Sequence, residues 1–234
     1  FALVVNYENG PADKLPGQAV AVFPIRDDGG LDAACDSIRH HGSGPNAARQ
    51  ERPHAHCVLA SPDDRLAIVA DLGIDAVLCH RLGPDGSLTP DPAPLRLPPG
   101  AGPRSIAFHP ARHFAYVINE LDSTIAVLAY DSAMGSLRLI GTVPTVPNAV
   151  GENYPSELHF GKEGRFLYAA NRGHDSIAIY AADAATGGLT PLGDHASGGK
   201  TPRSFAFDST GRWLLVANQN SDCIAIFQVD PKRG

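Results

Sequence analysis

The chain has 234 residues, 43% of them hydrophobic and 19% charged, with 24 glycines and 20 prolines. Those fractions argue against a disordered tail, and no apolar run approaches the roughly 18–20 residues that span a bilayer. Lys plus Arg is 19 against 25 Asp plus Glu, a formal charge of −6. That balance argues against nucleic acid as the main partner, because a phosphate backbone demands a basic face. Composition therefore describes a soluble, turn-rich globular protein without a membrane partner.

Met occurs once, at Met134, and the chain opens inside the apolar run Phe1–Tyr7, so it reads as an excerpt of a longer product, in which any signal peptide would precede Phe1. The four cysteines, Cys35, Cys57, Cys79 and Cys223, show no C-x-x-C spacing and form neither a zinc nor a redox motif. Cys57, Cys79 and Cys223 sit in apolar strand-like runs and are expected as small buried hydrophobes. A reducing, cytoplasmic compartment is the corresponding expectation.

Taken in chain order, one pattern returns five times. Phe1–Asn6 and Ala19–Ile25 open it. After a long connection come Cys57–Ala60, the turn Ser61–Asp64, Leu66–Asp71, Ala76–Leu82 and the short Ser87–Thr89. The third copy is Ser105–Phe108, a turn at His109–Arg112, Phe114–Asn119, Thr124–Tyr130 and Ser136–Leu139. The fourth is Glu157–Phe160, Gly161–Gly164, Phe166–Asn171, Ser176–Ala182 and Gly188–Leu192. The fifth is Ser204–Phe207, Asp208–Gly211, Trp213–Asn218 and Cys223–Val229. Short β-branched and aromatic runs bounded by turn residues are strands. The second runs start at 66, 114, 166 and 213, spaced 48, 52 and 47, while the first gap is 65.

Four strands per repeat of about 45–50 residues is the arithmetic of a β-propeller blade. The fold expected is all-β, a single truncated propeller domain of about five blades over 1–34, 54–95, 103–145, 155–195 and 202–234, with an inserted loop at 35–53. Trp213 is followed by Leu214, so the Trp-Asp signature of another propeller class is absent.

In such a blade the start of the first strand and the end of the second lie at the same mouth of the channel. Equivalent positions at the first are His56, Arg104, Ser156 and Arg203. At the second they are Asp71, Asn119, Asn171 and Asn218, followed by Leu72, Glu120, Arg172 and Gln219. The Asn/Asp position repeats and reads mainly as a turn cap. The flanking positions vary in charge from blade to blade, which a repeated fold does not itself require. They would give a pocket of three arginines, a carboxylate and a histidine, suited to a small anion. Glu120 or His56 could act there as general acid or base. The competing reading is an ion-pair network that holds blades together.

Elsewhere the signals are weak. His54-Ala-His56 could share a strand face, but two histidines make a poor metal motif, so neither metal nor cofactor is expected. His40, His41, His109, His159, His174 and His195 carry no interpretable spacing. There is no Gly-x-Ser-x-Gly elbow and no Gly-rich phosphate loop between a strand and a helix.

Several motifs carry a resemblance: His41–Pro45, Arg49–His56, Ala70–Asp75, Gly102–Pro110, Tyr116–Leu121, Ala170–Ile177, Gly198–Arg203 and Val216–Ser221. Along essentially its whole length the chain resembles the lactonase family of seven-bladed propellers, of 6-phosphogluconolactonase and carboxymuconate cyclase type. The resemblance implies metal-independent chemistry with His56, Arg104, Glu120 and Arg172 as the catalytic set. Arg203, Asn119, Asn171, Gln219 and His54 are assigned to substrate binding. It further implies hydrolysis of an anionic sugar lactone, 6-phosphogluconolactone to 6-phosphogluconate in the pentose phosphate pathway. Three alternatives stand beside it: a lactonising cyclase, a calcium-dependent lactonase using Asn119, Glu120 and Asn171, and a non-enzymatic propeller that binds a ligand or protein. Two features depart from the family. Its opening blades and last closing strand are missing, and Asp63-Asp64 and Ala111-Arg112 replace the usual Asp-Gly turn.

Overall fold

The structure, a computed structural model, describes residues 1–7, 19–111, 113–146 and 151–234. Its strands fall into successive antiparallel meanders. The first repeat gives β1 (Ala2–Val5), β2 (Val20–Phe23) and β3 (Asp36–Ile38). The second gives β4 (Ala55–Ala60), β5 (Leu66–Asp71), β6 (Ala76–Leu82), β7 (Leu88–Thr89) and β8 (Leu95–Arg96). The third comprises β9 (Pro103–Phe108), β10 (Phe114–Asn119), β11 (Thr124–Asp131) and β12 (Ser136–Pro144). The fourth comprises β13 (Tyr154–Phe160), β14 (Phe166–Arg172), β15 (Ser176–Ala182) and β16 (Leu189–Ala196). The last is β17 (Pro202–Phe207), β18 (Trp213–Asn218) and β19 (Cys223–Gln228). Within each sheet neighbours in sequence are neighbours in space, except that β8 pairs with β6 beyond β7. This is the blade pattern of a β-propeller. Among the described residues no helix is long and apolar enough to cross a membrane.

The repeat is legible in the backbone. Turns 61–64, 161–164 and 208–211 each close with the fourth N–H donating to the first carbonyl. Their closing residues, Asp64, Gly164 and Gly211, have φ of 58°, 73° and 74°. Arg112, which ends the corresponding turn of the third repeat, lies outside the described residues. Four residues beyond each Asn/Asp position, Asp75, Ser123, Asp175 and Asp222 occupy the left-handed region. The carbonyls of the first three accept from Leu97, Thr145 and Ser197, which fastens the end of each repeat to its own second turn.

Contacts divide the chain into two compact units, one of residues 1–106 and 131–138, the other of 107–130 and 139–234. In the first, Val20, Val22, Ile38, Val69 and Leu78 form the core. In the second, β14 feeds two cores from its two faces. Leu167 and Ala169 pack with Tyr116, Ile118 and Leu158. Tyr168 and Ala170 pack with Phe205, Leu214 and Val216. Alternate side chains point to opposite faces of a strand. A strand buried on both sides therefore needs an unbroken apolar run, which is why the second strands look alike in sequence.

Three expectations are corrected. Asp36–Ile38, placed in the inserted loop, pairs with β2 as the third strand of the first sheet. The first strands begin two or three residues earlier than their apolar runs, because pairing resumes beyond an irregularity, with Ala55, Pro155 and Pro202 opposite Asp71, Asn171 and Asn218. Cys223 is exposed rather than buried, since it lies on β19, where Ile224 and Ile226 are exposed too; Cys57 and Cys79 are half-buried and Cys35 is exposed.

Candidate functional site

The start of the first strand holds an irregularity in the pairs β4–β5, β13–β14 and β17–β18. Ala55 pairs with Asp71 and Cys57 with Ala70, so His56 is an extra residue. Pro202 pairs with Asn218 and Ser204 with Ala217, so Arg203 is extra. Ser156-Glu157 opposes a single residue in the same way. A β-bulge re-aims the side chains around it and is over-represented beside active sites. The bulge residues are the repeat-variable ones picked out by counting in the sequence. Arg104 holds the equivalent position in β9.

In the first unit His56 is half-buried and Arg104 is 4% exposed. His54 is buried with both ring nitrogens engaged, Nδ1 3.0 Å from the Tyr7 carbonyl and Nε2 3.3 Å from Glu51 Oε2. Its own backbone N–H and His54 hold the Glu51 carboxyl below the usual carboxylate range. Tyr7 stacks on His54 at 4.6 Å between ring centres and meets His56 edge-on at 5.3 Å. Tyr7 is a neighbour of His56 that the sequence, 49 positions away, gives no sign of. Because of the bulge, His54 and His56 do not sit as alternate residues of a regular strand. Among the described residues no group of three or more His, Cys, Asp or Glu could hold a metal ion.

In the second unit Glu120 follows β10 and Arg172 ends β14. Glu120 Oε2 lies 2.6 Å from Arg172 Nη2, with side chains 4% and 14% exposed. Arg172 Nε donates to the Tyr154 carbonyl at 2.9 Å, across the β13–β14 pair. Arg203 Nη1 donates to Gln219 Oε1 at 3.3 Å on an exposed surface. The structure therefore pairs Glu120 with Arg172 and Arg203 with Gln219. Asn119 and Asn171 are fully buried. Asn119 Nδ2 donates to Thr124 Oγ1 at 2.9 Å, and Asn171 Oδ1 accepts from Asn153 Nδ2 at 3.1 Å. The first bond spans the β10–β11 turn, and the second ties the end of β14 to the residue before β13. Ser156 Oγ donates to the Pro202 carbonyl at 2.7 Å, tying one first strand to the next. A cavity of about 700 Å³ in this unit, lined by Tyr168, Ile177, Leu214 and Phe227, contains none of the candidate residues.

The arrangement joins charge to rigidity. A carboxylate and a guanidinium mostly removed from water, at the ends of two strands that share a core, form a charged pair. A family described as lactonase, seven-bladed β-propeller, matches residues 1–234. The chain belongs to that family. Over 190 residues it is 39% identical to a 6-phosphogluconolactonase of Bacillus subtilis, an alignment covering 81% of this chain and 51% of the relative. The periplasmic gluconolactonase of Pseudomonas aeruginosa superposes with a TM-score of 0.87 at 36% identity, over 99% of this chain and 64% of that one. A Lactobacillus plantarum protein superposes at 0.86 and 33% identity, over 91% and 61%. The chain thus spans about half to two-thirds of the length of these three proteins.

Proposed function

We propose that the chain is part of a lactone hydrolase acting on an anionic sugar lactone, with 6-phosphogluconolactone as the first substrate to try. One observation carries this reading. Glu120 and Arg172, at equivalent repeat positions that hold Leu72 and Gln219 elsewhere, form a 2.6 Å pair largely removed from water. Family membership and the names of the Bacillus and Pseudomonas relatives support it.

In the proposed reaction a base takes a proton from water and the hydroxide adds to the ring carbonyl. The tetrahedral oxyanion collapses, the ring C–O bond breaks, and the departing alkoxide receives a proton. Glu120 and His56 are the groups assigned to these proton transfers, worth about 10²–10⁴-fold in positioned acid–base catalysis. Arg104 and Arg172 are assigned to the oxyanion and to the anionic substituent, since a guanidinium binds either with two parallel hydrogen bonds. Asn119, Asn171, Arg203, Gln219 and His54 remain proposed as substrate-binding residues, with Arg203 and Gln219 the exposed pair among them.

The test is a hydrolysis screen with the full-length protein over phosphorylated and non-phosphorylated sugar lactones, with and without chelator. Glu120→Gln should lower kcat at least about a hundredfold with the fold intact. Near-wild-type turnover would sink the assignment, and loss of activity in chelator would favour a calcium-dependent route.

A further inference from the structure

A chain of hydrogen bonds through buried groups runs beneath His56 and belongs to no turn cap found elsewhere in the repeats. Asp71 is fully buried, His40 is 4% exposed and His80 2%. His40 Nδ1 lies 2.6 Å from Asp71 Oδ2, and His40 Nε2 lies 2.9 Å from His80 Nε2. The backbone N–H of Asp91 donates to His80 Nδ1 at 3.1 Å. The other Asp71 oxygen, Oδ1, accepts from the backbone N–H groups of His54 at 2.7 Å and Gly73 at 3.1 Å.

The proton on each ring follows by elimination. His80 Nδ1 accepts a backbone N–H, so it is bare, and a neutral imidazole must then carry its hydrogen on Nε2. Burial, with His40 close by, pushes His80 down to about 4, so the ring is neutral near pH 7. His80 Nε2–H therefore donates to His40 Nε2, which must be bare, and His40 carries its hydrogen on Nδ1 and donates to the Asp71 carboxylate. Every bond points one way, from the Asp91 amide to Asp71.

The repeat supplies the reason for the carboxylate. At the equivalent position Asn119, Asn171 and Asn218 each donate through Nδ2. A carboxylate cannot donate, so Asp71 needs donors around it, and His40 comes from the segment that lengthens this one repeat. What Asp71 holds in return is the entry to β4. Its Oδ1 takes the His54 N–H, Leu72 N–H donates to the His54 carbonyl at 3.0 Å, and Asp71 is the ladder partner of Ala55. The bulge residue His56 comes next.

We propose that Asp71, polarised through His40 and His80, is a positioning residue that fixes the orientation of His56. As a claim about turnover this rests on the assignment of His56 to the lactonase reaction; as a claim about geometry it does not. In Asp71→Asn the amide nitrogen would face His40 Nδ1, forcing the hydrogen of His40 onto Nε2 against His80 Nε2–H. In His40→Gln the side chain still offers a donor to Asp71 and an acceptor to His80, so the direction of the chain survives.

The experiment combines NMR of the full-length protein labelled with ¹⁵N-histidine and steady-state kinetics on a sugar lactone. In the wild type His40 should be neutral with its hydrogen on Nδ1, and His80 neutral with its hydrogen on Nε2. A cationic His40, or its other tautomer, at neutral pH overturns the proposal even if Asp71→Asn fails to fold. Folded Asp71→Asn should shift the His56 ring signals and titration and lower kcat between about tenfold and a hundredfold with little change in KM. His40→Gln should keep a larger share of kcat than Asp71→Asn does. An Asp71→Asn protein with wild-type His56 signals overturns the proposal. If the wild type turns over no lactone, the assignment of function fails, and the His56 signals alone decide the positioning.

Discussion

Replacing Arg172 with Leu separates a charged pair that stabilises the fold from one that is incidental to it. Arg172→Leu leaves the Glu120 carboxylate, 4% exposed, without the guanidinium 2.6 Å away. Breaking a buried pair from one side costs about 3–5 kcal/mol. Arg172 is 14% exposed, which places the expected loss toward the lower end, near ~3 kcal/mol. The hydrogen bond from Arg172 Nε to the Tyr154 carbonyl adds about 1 kcal/mol. The total is about 4 kcal/mol, a large part of the ordinary stability of a domain. Glu120→Gln should cost less, because the remaining guanidinium keeps Tyr154 and some solvent. The double variant should cost about 2 kcal/mol less than the sum of the two singles, because it leaves no unpaired buried charge. Urea unfolding of the four proteins, at equal m-value, reads all of this from the midpoints. A loss below about 1 kcal/mol in Arg172→Leu would show the pair to be solvated in solution and refute the reasoning.

Two further outcomes follow from the first unit. His80 is held near 4 when folded against 6.5 as its ordinary value, so the unfolded chain binds its proton first as pH falls. This contribution is fully present above about 6.5 and declines between 6.5 and 4, the loss reaching about 3 kcal/mol by the lower end. His40 and Asp91 are the titratable groups that act on His80, and His80→Gln should flatten that part of the stability–pH curve. Gly73 offers a steric test, because a Cβ there would overlap the Arg52 carbonyl and crowd the His54 nitrogen at 2.7 Å. Gly73→Ala should cost about 1–3 kcal/mol in urea unfolding, and an unchanged midpoint would mean that the 52–54 backbone moves aside freely.

The blades were legible because their inner strands are apolar on both faces and their turns fall at fixed offsets. Leu66–Asp71 and Phe166–Asn171 announce the same environment, and Asp75 and Asp175 recur four residues beyond the cap. The bulges were not legible in themselves. His56 and Arg203 are extra residues without the glycine that sometimes marks such a site, so counting found the positions but not the geometry that distinguishes them. Asp36–Ile38 was missed as a strand because three residues, two of them polar, carry no periodicity. Cys223 was misread because apolar neighbours predict burial only when another face lies against them, and Ile224 and Ile226 are 64% and 63% exposed. His40 had no local signal at all, its partners being 31 and 40 positions away.

One signal for His40 was nonetheless present in the sequence, in two places that belong together. The repeat with the longer preceding connection, 65 residues rather than 47–52, is also the repeat with Asp in place of Asn. Either change alone would be a defect. A buried Asp in an Asn cap loses a donor and keeps a charge, and a long connection without anchors has nothing to set its path. Together they satisfy each other. His40 meets Asp71, and Gln50 Nε2 donates to Asp75 Oδ1 at 2.7 Å and to the Leu72 carbonyl at 2.8 Å. Asp75 in turn accepts from Gly100 and Gly102, the residues that lead into Arg104. Two departures from the repeat at buried polar positions thus fasten the backbone beside both His56 and Arg104. In a repeated fold, a changed cap and a lengthened connection in the same repeat are a sign of side-chain bonds between them, and the strand ends they hold are the place to look for function.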